Sequence, residues 1–531
     1  MALRILNESS SPATDLSASV CIVGAGIAGL IAATRLAQDK KRRVIVVESG
    51  LRKPEPSLSV LNEIDNPSDN YRGGMTARSR GLGGTSLLWG GKLLPITRHD
   101  TLPRPYLDLD GWPFDIAELE AYRQEIEALM GVDAEPYDGS IAEQLDPQGF
   151  LPRNDIDFCL RWPKRPANKN HDLAYVLRKH IEELDNLEIW LGATVSRFHF
   201  DLTCGRIKAL TAIAGTGKTL QVVATEYLIA AGTLESTRLL LLADRQSNDS
   251  ISSDCNALGR YFNEHLGLHV AALRPRNRTL TNLILSDRST LNSLRHLHFE
   301  LRPEVQKING IASAYFDISA ELPDSSALTK AQRVVQGLRR GNPLISCRDM
   351  SAIIKDWPSL FRTAQWKSVR KQKYWPSNAN LTIEIRVEQL PRWQNRISLS
   401  DQIDALGVPK LQLNWEKTAA EEKLFRTMVV KIDRYWNEHL AGFCELEWKP
   451  EVLNPEFRMV DSAADLAHPA GSTRMGTNPL DSVVDPRLRV HRIPNLSVAS
   501  ASIFPSSGSA NPTLTIMLLA IRAAETLATG S

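Results

Sequence analysis

The apolar and polar positions near the start of the chain predict a strand, a helix and a second strand. An apolar run over residues 20–23 leads into Gly24, Gly26 and Gly29, a helix rich in Ala and Leu follows, and the next apolar run ends in Glu48. The first glycine permits a tight turn, the second lets the backbone approach a pyrophosphate, and the third lets the helix pack on the strand. A carboxylate in the position of Glu48 is placed to hold an adenosine ribose. The segment predicts a dinucleotide site, with a ligand-free glycine turn as the alternative, and it does not separate FAD from NAD.

Two other spacings of apolar residues predict a helix and several strands in the rest of the chain. Helical spacing over residues 112–131 predicts an amphipathic helix, with Asp115 and Glu118 as a capping box and Gly131 at its end. Period-two alternation, with apolar residues on one face, predicts strands at 297–301, 381–387 and 411–415. Such strands indicate an antiparallel sheet that is open to solvent or substrate on its other face.

Composition narrows the class of protein. The chain has 531 residues, which favours two or more domains, and its 43% hydrophobic and 23% charged residues are typical of a soluble globular protein. A net charge of +2 gives no electrostatic reason to expect nucleic acid as a partner. There is no apolar run of about 18 residues for a membrane span and no signal-peptide core, so we expect a cytoplasmic protein. The six cysteines form no CxxC pair, and we expect no metal site.

Two further segments suit a flat nucleotide ligand. The sequence RSRGLGGTSLLWGG, residues 78–91, contains five glycines that let the backbone lie close against a ligand. In EYLIAAGTLESTRLLL, a strand over residues 227–230 meets Ala231 and Gly232 before a helix, which suggests a second nucleotide-binding half. Either segment taken alone is also compatible with a plain surface loop.

These motifs, together with GWPFDIAELEAYRQEIEALMGV, LGRYFNEH, EQLPRWQNRISLSDQIDALGVPKLQLNW and the C-terminus, resemble the glucose-methanol-choline (GMC) oxidoreductases. The resemblance spans nearly the whole chain, is weak between about 270 and 375, and is closest to the pyranose oxidase and bacterial sugar dehydrogenase branch. It implies a mixed α/β and α+β fold: a Rossmann-like FAD-binding domain and an antiparallel-sheet substrate domain that roofs the flavin. The implied bounds are 1–270 and 455–531 for the FAD-binding domain and 271–454 for the substrate domain.

The C-terminal motifs HPAGSTRMG and SANPTLTI carry the candidate chemistry. His468 supplies an imidazole, the usual base near neutral pH, and Asn511 supplies an amide that can donate a hydrogen bond but cannot titrate. Asn511 followed by Pro512 is typical of a helix N-cap and first turn, where the helix dipole stabilises negative charge. The resemblance implies that His468 is the catalytic base, that Asn511 replaces a second histidine, and that this helix start faces the flavin.

The resemblance also implies a set of cofactor contacts and two departures from the family. The predicted FAD-binding residues are Gly24, Gly26, Gly29, Glu48, Arg80, Gly83, Gly84, Thr85, Leu88, Trp89, Gly90, Val195, Ala231, Gly232, Ala501, Pro512 and Thr513. Leu88 stands where pyranose oxidases tether FAD through a histidine, so we predict noncovalent FAD. Ser500 replaces an acidic residue that contacts the cofactor elsewhere, which weakens the case for a contact there.

The remaining polar features receive structural interpretations. Residues 321–376 carry eleven Lys or Arg and four acids, with interleaved aromatic residues. We favour a solvated helical insertion there over a docking surface for an anionic partner. His296 and His298 either line the substrate cavity or form a surface pair, and the second interpretation is favoured. His265 and His491 receive no catalytic role.

The sequence therefore predicts FAD-dependent oxidation of a secondary alcohol, such as a sugar, glycoside or polyol. Hydride would go to flavin N5, His468 would act as base, and oxygen or another compound would accept the electrons. The alternatives are a lyase-like flavoenzyme without net redox chemistry and a binding protein stabilised by FAD.

Overall fold

The computed structural model describes residues 2–68, 70–146, 149–290, 292–339 and 347–529. Most of the described strands belong to two large sheets, and two three-stranded sheets accompany them. In this described part of the chain, no helix combines the length and the apolar character needed to cross a membrane.

The first large sheet is mostly parallel and forms the centre of the nucleotide-binding body. Its strands, in spatial order, are Ala2–Ile5, Leu187–Leu191, Val44–Glu48, Ala13–Val23, Thr219–Ile229, Arg206–Ile213 and Thr194–Asp201, and Leu496–Val498 also pairs with Thr219–Ile229. The predicted apolar runs are its central strands, with Val20 opposite Val44, and all five residues of Val44–Glu48 are buried. A parallel sheet covered on both faces requires such continuous apolar runs.

The second large sheet is antiparallel and contains two of the three predicted period-two strands. Its strands, in spatial order, are Cys444–Trp448, His265–Pro275, Asn380–Glu388, Ala314–Glu321, His298–Leu301 and Phe158–Arg161, with Ala464–Asp465 at one side. The prediction of an open polar face is wrong at His298–Leu301, where His298 and Glu300 are buried as well as Phe299 and Leu301. These polar side chains tolerate burial because other polar groups contact them.

The small sheets correct one further expectation. One comprises Arg288–Ser289, Leu294–Arg295 and Lys164–Arg165; the other comprises Arg396–Ile403, Pro409–Asn414 and Ile64–Asp65. The predicted strand at 411–415 is therefore observed as Pro409–Asn414, but it lies outside the large antiparallel sheet. Alternation predicts a half-buried strand and does not specify its partners.

Helices cover both bodies. The longer α-helices are Ile27–Leu36, Glu120–Met130, Leu173–Glu183, Gly232–Gln246, Arg278–Leu285, Pro303–Asn309, Ala327–Arg339, Cys347–Lys355, Trp357–Gln365, Ala419–His439 and Thr513–Thr529. Four-residue helices lie at Pro56–Ser59, Gly73–Thr76, Arg98–Thr101, Ala142–Leu145, Pro450–Leu453 and Met459–Ser462. The first and last of the longer helices pack on each other, which joins the two ends of the chain in one body.

The helix predicted at 112–131 is shorter than expected. A 3₁₀ turn, Ile116–Leu119, precedes Glu120–Met130, and Gly131 ends the helix in the left-handed conformation as predicted. Asp115 accepts the N–H of Ala117, but Glu118 forms an ion pair with Arg522 on the C-terminal helix. The predicted reciprocal capping box is wrong because this tertiary partner takes the Glu118 carboxylate.

The domain bounds stay a prediction. The sheet of the second body includes Phe158–Arg161 and begins its longest strand at His265, both inside the range 1–270 assigned to the first body. Residues 340–346, within the basic segment 321–376, lie outside the described residues, and the flanking parts of that segment are helical.

Candidate active site

A cavity of about 730 Å³ runs from the first glycine turn to the C-terminal motifs. The predicted site residues on its wall are His468, Asn511, Gly24, Gly26, Glu48, Arg80, Gly84, Thr85, Leu88, Trp89, Gly90, Val195, Ala231, Gly232, Ala501, Pro512 and Thr513. Ser500 also lies on the wall, whereas Gly29 and Gly83 lie behind it. The fold thus brings together segments from both ends of the chain around one cavity.

The glycine-rich end of the cavity is built for close backbone approach. Gly24 has a φ of +105°, and a Cβ there would lie 2.6 Å from the Ala230 carbonyl oxygen. At Gly29 a Cβ would lie 1.9 Å from the carbonyl oxygen of Gly24, so this glycine is required for helix packing. Gly26 and Gly84 face each other, since a Cβ on Gly84 would lie 2.8 Å from the Gly26 Cα. Only glycine fits at these crossings.

The Glu48 carboxylate joins three backbone segments beside this turn. It accepts the N–H groups of Ala25 at 2.8 Å, Gly50 at 2.7 Å and Gly81 at 2.9 Å. Burial raises the pKa of Glu48, and the bonds from Gly50 and Ala25 oppose that rise. A carboxylate can accept hydrogen bonds from the ribose hydroxyls of a dinucleotide, and the adjacent glycine turn lets backbone N–H groups approach its pyrophosphate. The residues present therefore fit FAD.

A chain of hydrogen bonds assigns the tautomer of His468. The Gly508 carbonyl lies 2.8 Å from His265 Nε2 and can only accept, so this nitrogen carries the proton. Burial lowers the pKa of His265 to about 4, so the ring is neutral and its Nδ1 has a lone pair. His468 Nδ1 lies 3.0 Å from that lone pair and must donate to it. The remaining nitrogen, His468 Nε2, is therefore unprotonated.

Burial and neighbouring charges keep the His468 imidazole neutral. Burial lowers its pKa well below 6.5, and the charges of Arg386 and Lys92 lower it further. The Asn511 amide Nδ2 donates to Nε2 at 3.1 Å. A neutral imidazole with a free lone pair on a cavity wall can accept a proton from a bound hydroxyl group.

The backbone around His468 is held in an uncommon conformation. Ala467 has a φ of +58°, in the left-handed region, which costs about 1–2 kcal/mol for a residue with a Cβ. The N–H of His468 and that of His265 both donate to the buried Glu264 carboxylate, and Tyr71 donates to its other oxygen at 3.1 Å. Glu264 thus connects the backbones of two histidines that are 203 residues apart.

Asn511 does not cap the C-terminal helix as expected. The helix begins at Thr513, its first i to i+4 bond runs from the Ile516 N–H to the Pro512 carbonyl, and the Asn511 side chain bonds His468 instead. Asn511 Oδ1 is buried without a hydrogen-bond partner. The amide was predicted to orient an oxygen and to cap the helix; because Oδ1, the atom that would accept a helix N–H, has no partner, the capping role is not observed.

His296 and His298 do not form the surface pair that was favoured. His298 is buried and stacks on Tyr315 with 4.1 Å between ring centroids. His296 Nε2 lies 3.0 Å from Asp317 Oδ2, and the same oxygen accepts from Lys92 Nζ at 2.8 Å. The two histidines lie behind the wall of the cavity, and Lys92 is the member of this cluster that reaches it.

Sequence reasoning missed several groups at this end of the cavity. Lys92, Arg165 and Arg386 line the wall, and His265 contacts His468. Lys92 directly follows the glycine-rich segment and His265 is the last residue of LGRYFNEH, so the first adjoins a recognised motif and the second lies within one. Arg165 and Arg386 had no local signal, because only the tertiary fold brings their strands to the cavity.

The fold and site define a flavin-dependent oxidoreductase: a Rossmann-like sheet, a cavity that fits FAD and a neutral histidine at its far end. The GMC oxidoreductase family model matches residues 391–520, and that of the NAD(P)-binding Rossmann-like domain matches residues 22–53. The chain thus contains a GMC oxidoreductase C-terminal domain and a Rossmann-like nucleotide-binding segment, its relatives are GMC oxidases and dehydrogenases, and its cofactor is FAD.

Relatives that match nearly the whole chain are distant, and a more similar one matches only a quarter of it. It is 21% identical to 6'''-hydroxyparomomycin C oxidase of Streptomyces lividus, over 96% of this chain and 91% of that protein. It is 34% identical to the fructose dehydrogenase large subunit of Gluconobacter japonicus, over 26% of this chain and 24% of that protein. Pyridoxine 4-oxidase from Mesorbium loti has a similar fold, with a TM-score of 0.59 and 18% identity over 96% of this chain and 98% of that chain.

Proposed function

We propose that this protein oxidises a secondary alcohol, of the sugar, glycoside or polyol type, with His468 as the base. The observation that carries the proposal is the unprotonated Nε2 of a neutral His468 on the cavity wall. Bound FAD would supply the acceptor for the hydride that leaves the carbinol carbon. The relatives named as oxidases and dehydrogenases of sugar-like compounds support the substrate class.

Each residue has one task in this proposal. His468 Nε2 takes the hydroxyl proton, and its Nδ1–H stays bonded to His265 so that the ring does not rotate. Asn511 donates to the substrate oxygen through Nδ2, which reaches His468 Nε2 at 3.1 Å when no substrate intervenes. The N–H groups at the start of Thr513–Thr529 stabilise negative charge that develops beside the helix.

The proposed contacts to the cofactor follow the same wall. Gly24, Gly26 and Glu48 would hold the adenosine and pyrophosphate part, and Leu88 lies exposed on the wall with no nucleophilic atom. FAD would therefore be bound noncovalently. Acid precipitation should release it into the supernatant, whereas flavin that stays with the precipitated protein would contradict this part of the proposal.

Anaerobic mixing with alcohols tests the reaction. FAD-loaded protein mixed with a panel of sugars, glycosides and simple secondary alcohols should show bleaching of the visible flavin band with at least one of them. Reoxidation of that sample by oxygen or by a dye would then identify the class of acceptor. If no member of the panel bleaches the flavin, alcohol oxidation is wrong; turnover without any acceptor would favour a lyase-like reaction.

A further inference from the structure

The far end of the cavity presents positive charge alone. Lys92, Arg165 and Arg386 line it, whereas the two acids on the wall, Glu48 and Glu235, belong to the nucleotide end. Glu48 binds the glycine turn, and Glu235 is paired with Arg80 at 2.9 Å. All three cations line the same cavity as the proposed base, His468.

Two of these cations face each other across neighbouring segments. Leu93 and Lys164 form an antiparallel bridge, with each N–H donating to the other carbonyl at 2.8 and 2.9 Å. One residue along each segment, Lys92 therefore stands opposite Arg165, and both reach the cavity wall. Like charges directly opposite each other are destabilising, so this pair needs a counter-charge.

Protein carboxylates supply only part of that counter-charge. Lys92 Nζ lies 2.8 Å from Asp317, which is buried behind the wall. Arg386 lies 2.6 Å from Glu384 and 3.6 Å from Asp317. Burial alone would raise the pKa of Asp317, but Arg386 and Lys92 hold it well below 3.8, so this acid is ionised.

Arg165 has no such partner. Among the described residues, no carboxylate oxygen forms an ion pair with its guanidinium, and its Nε is buried without a hydrogen bond. Asp317 and Glu384 pair with Lys92 and Arg386, and neither carboxylate lies on the wall, so among the described residues Arg165 is the cation of the three without an ion pair. An arginine of this kind binds planar anions through two parallel N–H bonds.

We infer that the substrate alcohol carries an anionic group, a carboxylate or a phosphate monoester, which binds between Lys92, Arg165 and Arg386 while its hydroxyl group meets His468. The inference rests on the proposed function and narrows its substrate class. It assigns the discrimination between charged and neutral alcohols to Arg165 in particular, because its charge is the one left without a partner.

Binding of non-reacting probes tests the anion site separately from the reaction. FAD-loaded protein is titrated with propanoate, inorganic phosphate and propanamide, and the change in the visible flavin spectrum gives each dissociation constant. We expect at least one anion to bind about tenfold or more tightly than propanamide, with weaker binding at high salt. The stronger of the two anions identifies the carboxylate or the phosphate as the natural group.

Variants assign this preference to residues. Arg165→Gln and Lys92→Gln should each reduce the anion preference about tenfold while FAD stays bound. Arg52→Gln, which removes an exposed arginine, is the matched control and should leave the preference unchanged. Equal binding of anions and propanamide by the unchanged protein would overturn the inference, and so would an Arg165→Gln variant that retains FAD and keeps its full anion preference.

Flavin reduction by glucose, glucuronate and glucose 6-phosphate separates the two proposals. Faster reduction by one charged sugar supports both of them. Reduction by glucose alone, without anion binding, leaves the proposed function standing and overturns the anion site. Anion binding without flavin reduction by any alcohol leaves the anion site standing and overturns the proposed alcohol oxidation.

Discussion

The pKa of His468 determines the pH range in which this residue can act as a base. Its burial, together with the charges of Arg386 and Lys92, lowers that pKa well below 6.5. The neutral form therefore prevails at and above pH 6.5, and proton uptake abolishes the base only at lower pH. We expect the rate constant of anaerobic flavin reduction to be constant from alkaline pH down to 6.5 and to fall below it. A rate that already declines severalfold above pH 6.5 would contradict this assignment.

His265 is a positioning residue whose replacement separates orientation from stability. His265→Leu removes the acceptor for His468 Nδ1–H and should slow flavin reduction about 10- to 100-fold. His265→Asn keeps an acceptor for His468 Nδ1–H at the position of the imidazole Nδ1, so it should recover part of the rate. Both variants should retain FAD, measured by absorbance. Equal rates for the two variants would show that His265 has only a packing role.

The sequence allowed His468 and Asn511 to be predicted as neighbours because a short motif surrounds each of them. The His265 partner could not be predicted, since 203 residues separate it from His468 and the contact depends on how two bodies meet. The orientation of Asn511 was also out of reach. An amide before a proline is typical of a helix cap, but here the side chain is oriented by its hydrogen bond to the imidazole of His468.

At the scale of elements, the strand–turn–helix unit near the start of the chain depends on one close contact. Gly29→Ala would place a Cβ 1.9 Å from the Gly24 carbonyl oxygen, which forces the helix away from the strand. We expect a loss of about 1–3 kcal/mol in the free energy of unfolding and weaker FAD retention. Gly215→Ala is the control, because nothing lies within 4 Å of its added Cβ, and its stability should change by less than about 0.5 kcal/mol. Urea unfolding measures both, and equal stability of the variants would contradict the packing role.

This unit was also the most predictable element. The packing of Gly29 against the Gly24 carbonyl is local, so the sequence contains that constraint, whereas Gly24 meets Ala230 and Gly26 meets Gly84 only in the tertiary fold. The strand at Pro409–Asn414 was predicted from the same kind of alternation, yet its sheet partner was not, because register and partner depend on distant strands. Arg386 and Arg165 could not be predicted as site residues either, because the pairing of distant strands brings them to the cavity.

At the scale of the whole molecule, one buried ion pair joins the two bodies near the active site. Arg104 binds both oxygens of Glu388 at 2.7 Å, and the same carboxylate accepts the N–H of Gly508 at 2.9 Å. Gly508 in turn accepts from His265, so the pair supports the loop that leads to Asn511. Arg104→Met leaves a buried carboxylate without its cation and should cost about 3–5 kcal/mol of unfolding free energy.

A surface pair provides the comparison. Arg274 and Glu447 are also 2.7 Å apart, but both side chains are more than half exposed, so Arg274→Met should cost at most about 1 kcal/mol. Urea unfolding of the two FAD-loaded variants measures the difference. If Arg104→Met is no less stable than Arg274→Met, the buried pair does not stabilise the junction.

The two-body organisation was predictable from the order of motifs, because nucleotide-binding signals occur at both ends of the chain and antiparallel strands occur between them. The contribution of Phe158–Arg161 to the second sheet could not be predicted, since this strand is short and lies between nucleotide-binding segments. The site forms where these bodies meet. The glycines of the site could be predicted from the sequence of the nucleotide-binding body alone. Its cationic residues could be located only from the assembled structure of both bodies.

The central claim is that His468 accepts the hydroxyl proton. The rate of anaerobic flavin reduction in His468→Ala is its most direct test. The variant and the unchanged protein are compared with the same alcohol, at equal FAD occupancy and above pH 6.5. We predict that the rate constant of flavin reduction in the variant is lower by about a hundredfold or more, while FAD binding and the free energy of unfolding stay nearly unchanged. An equal rate in the two proteins would contradict the role of His468 as the base.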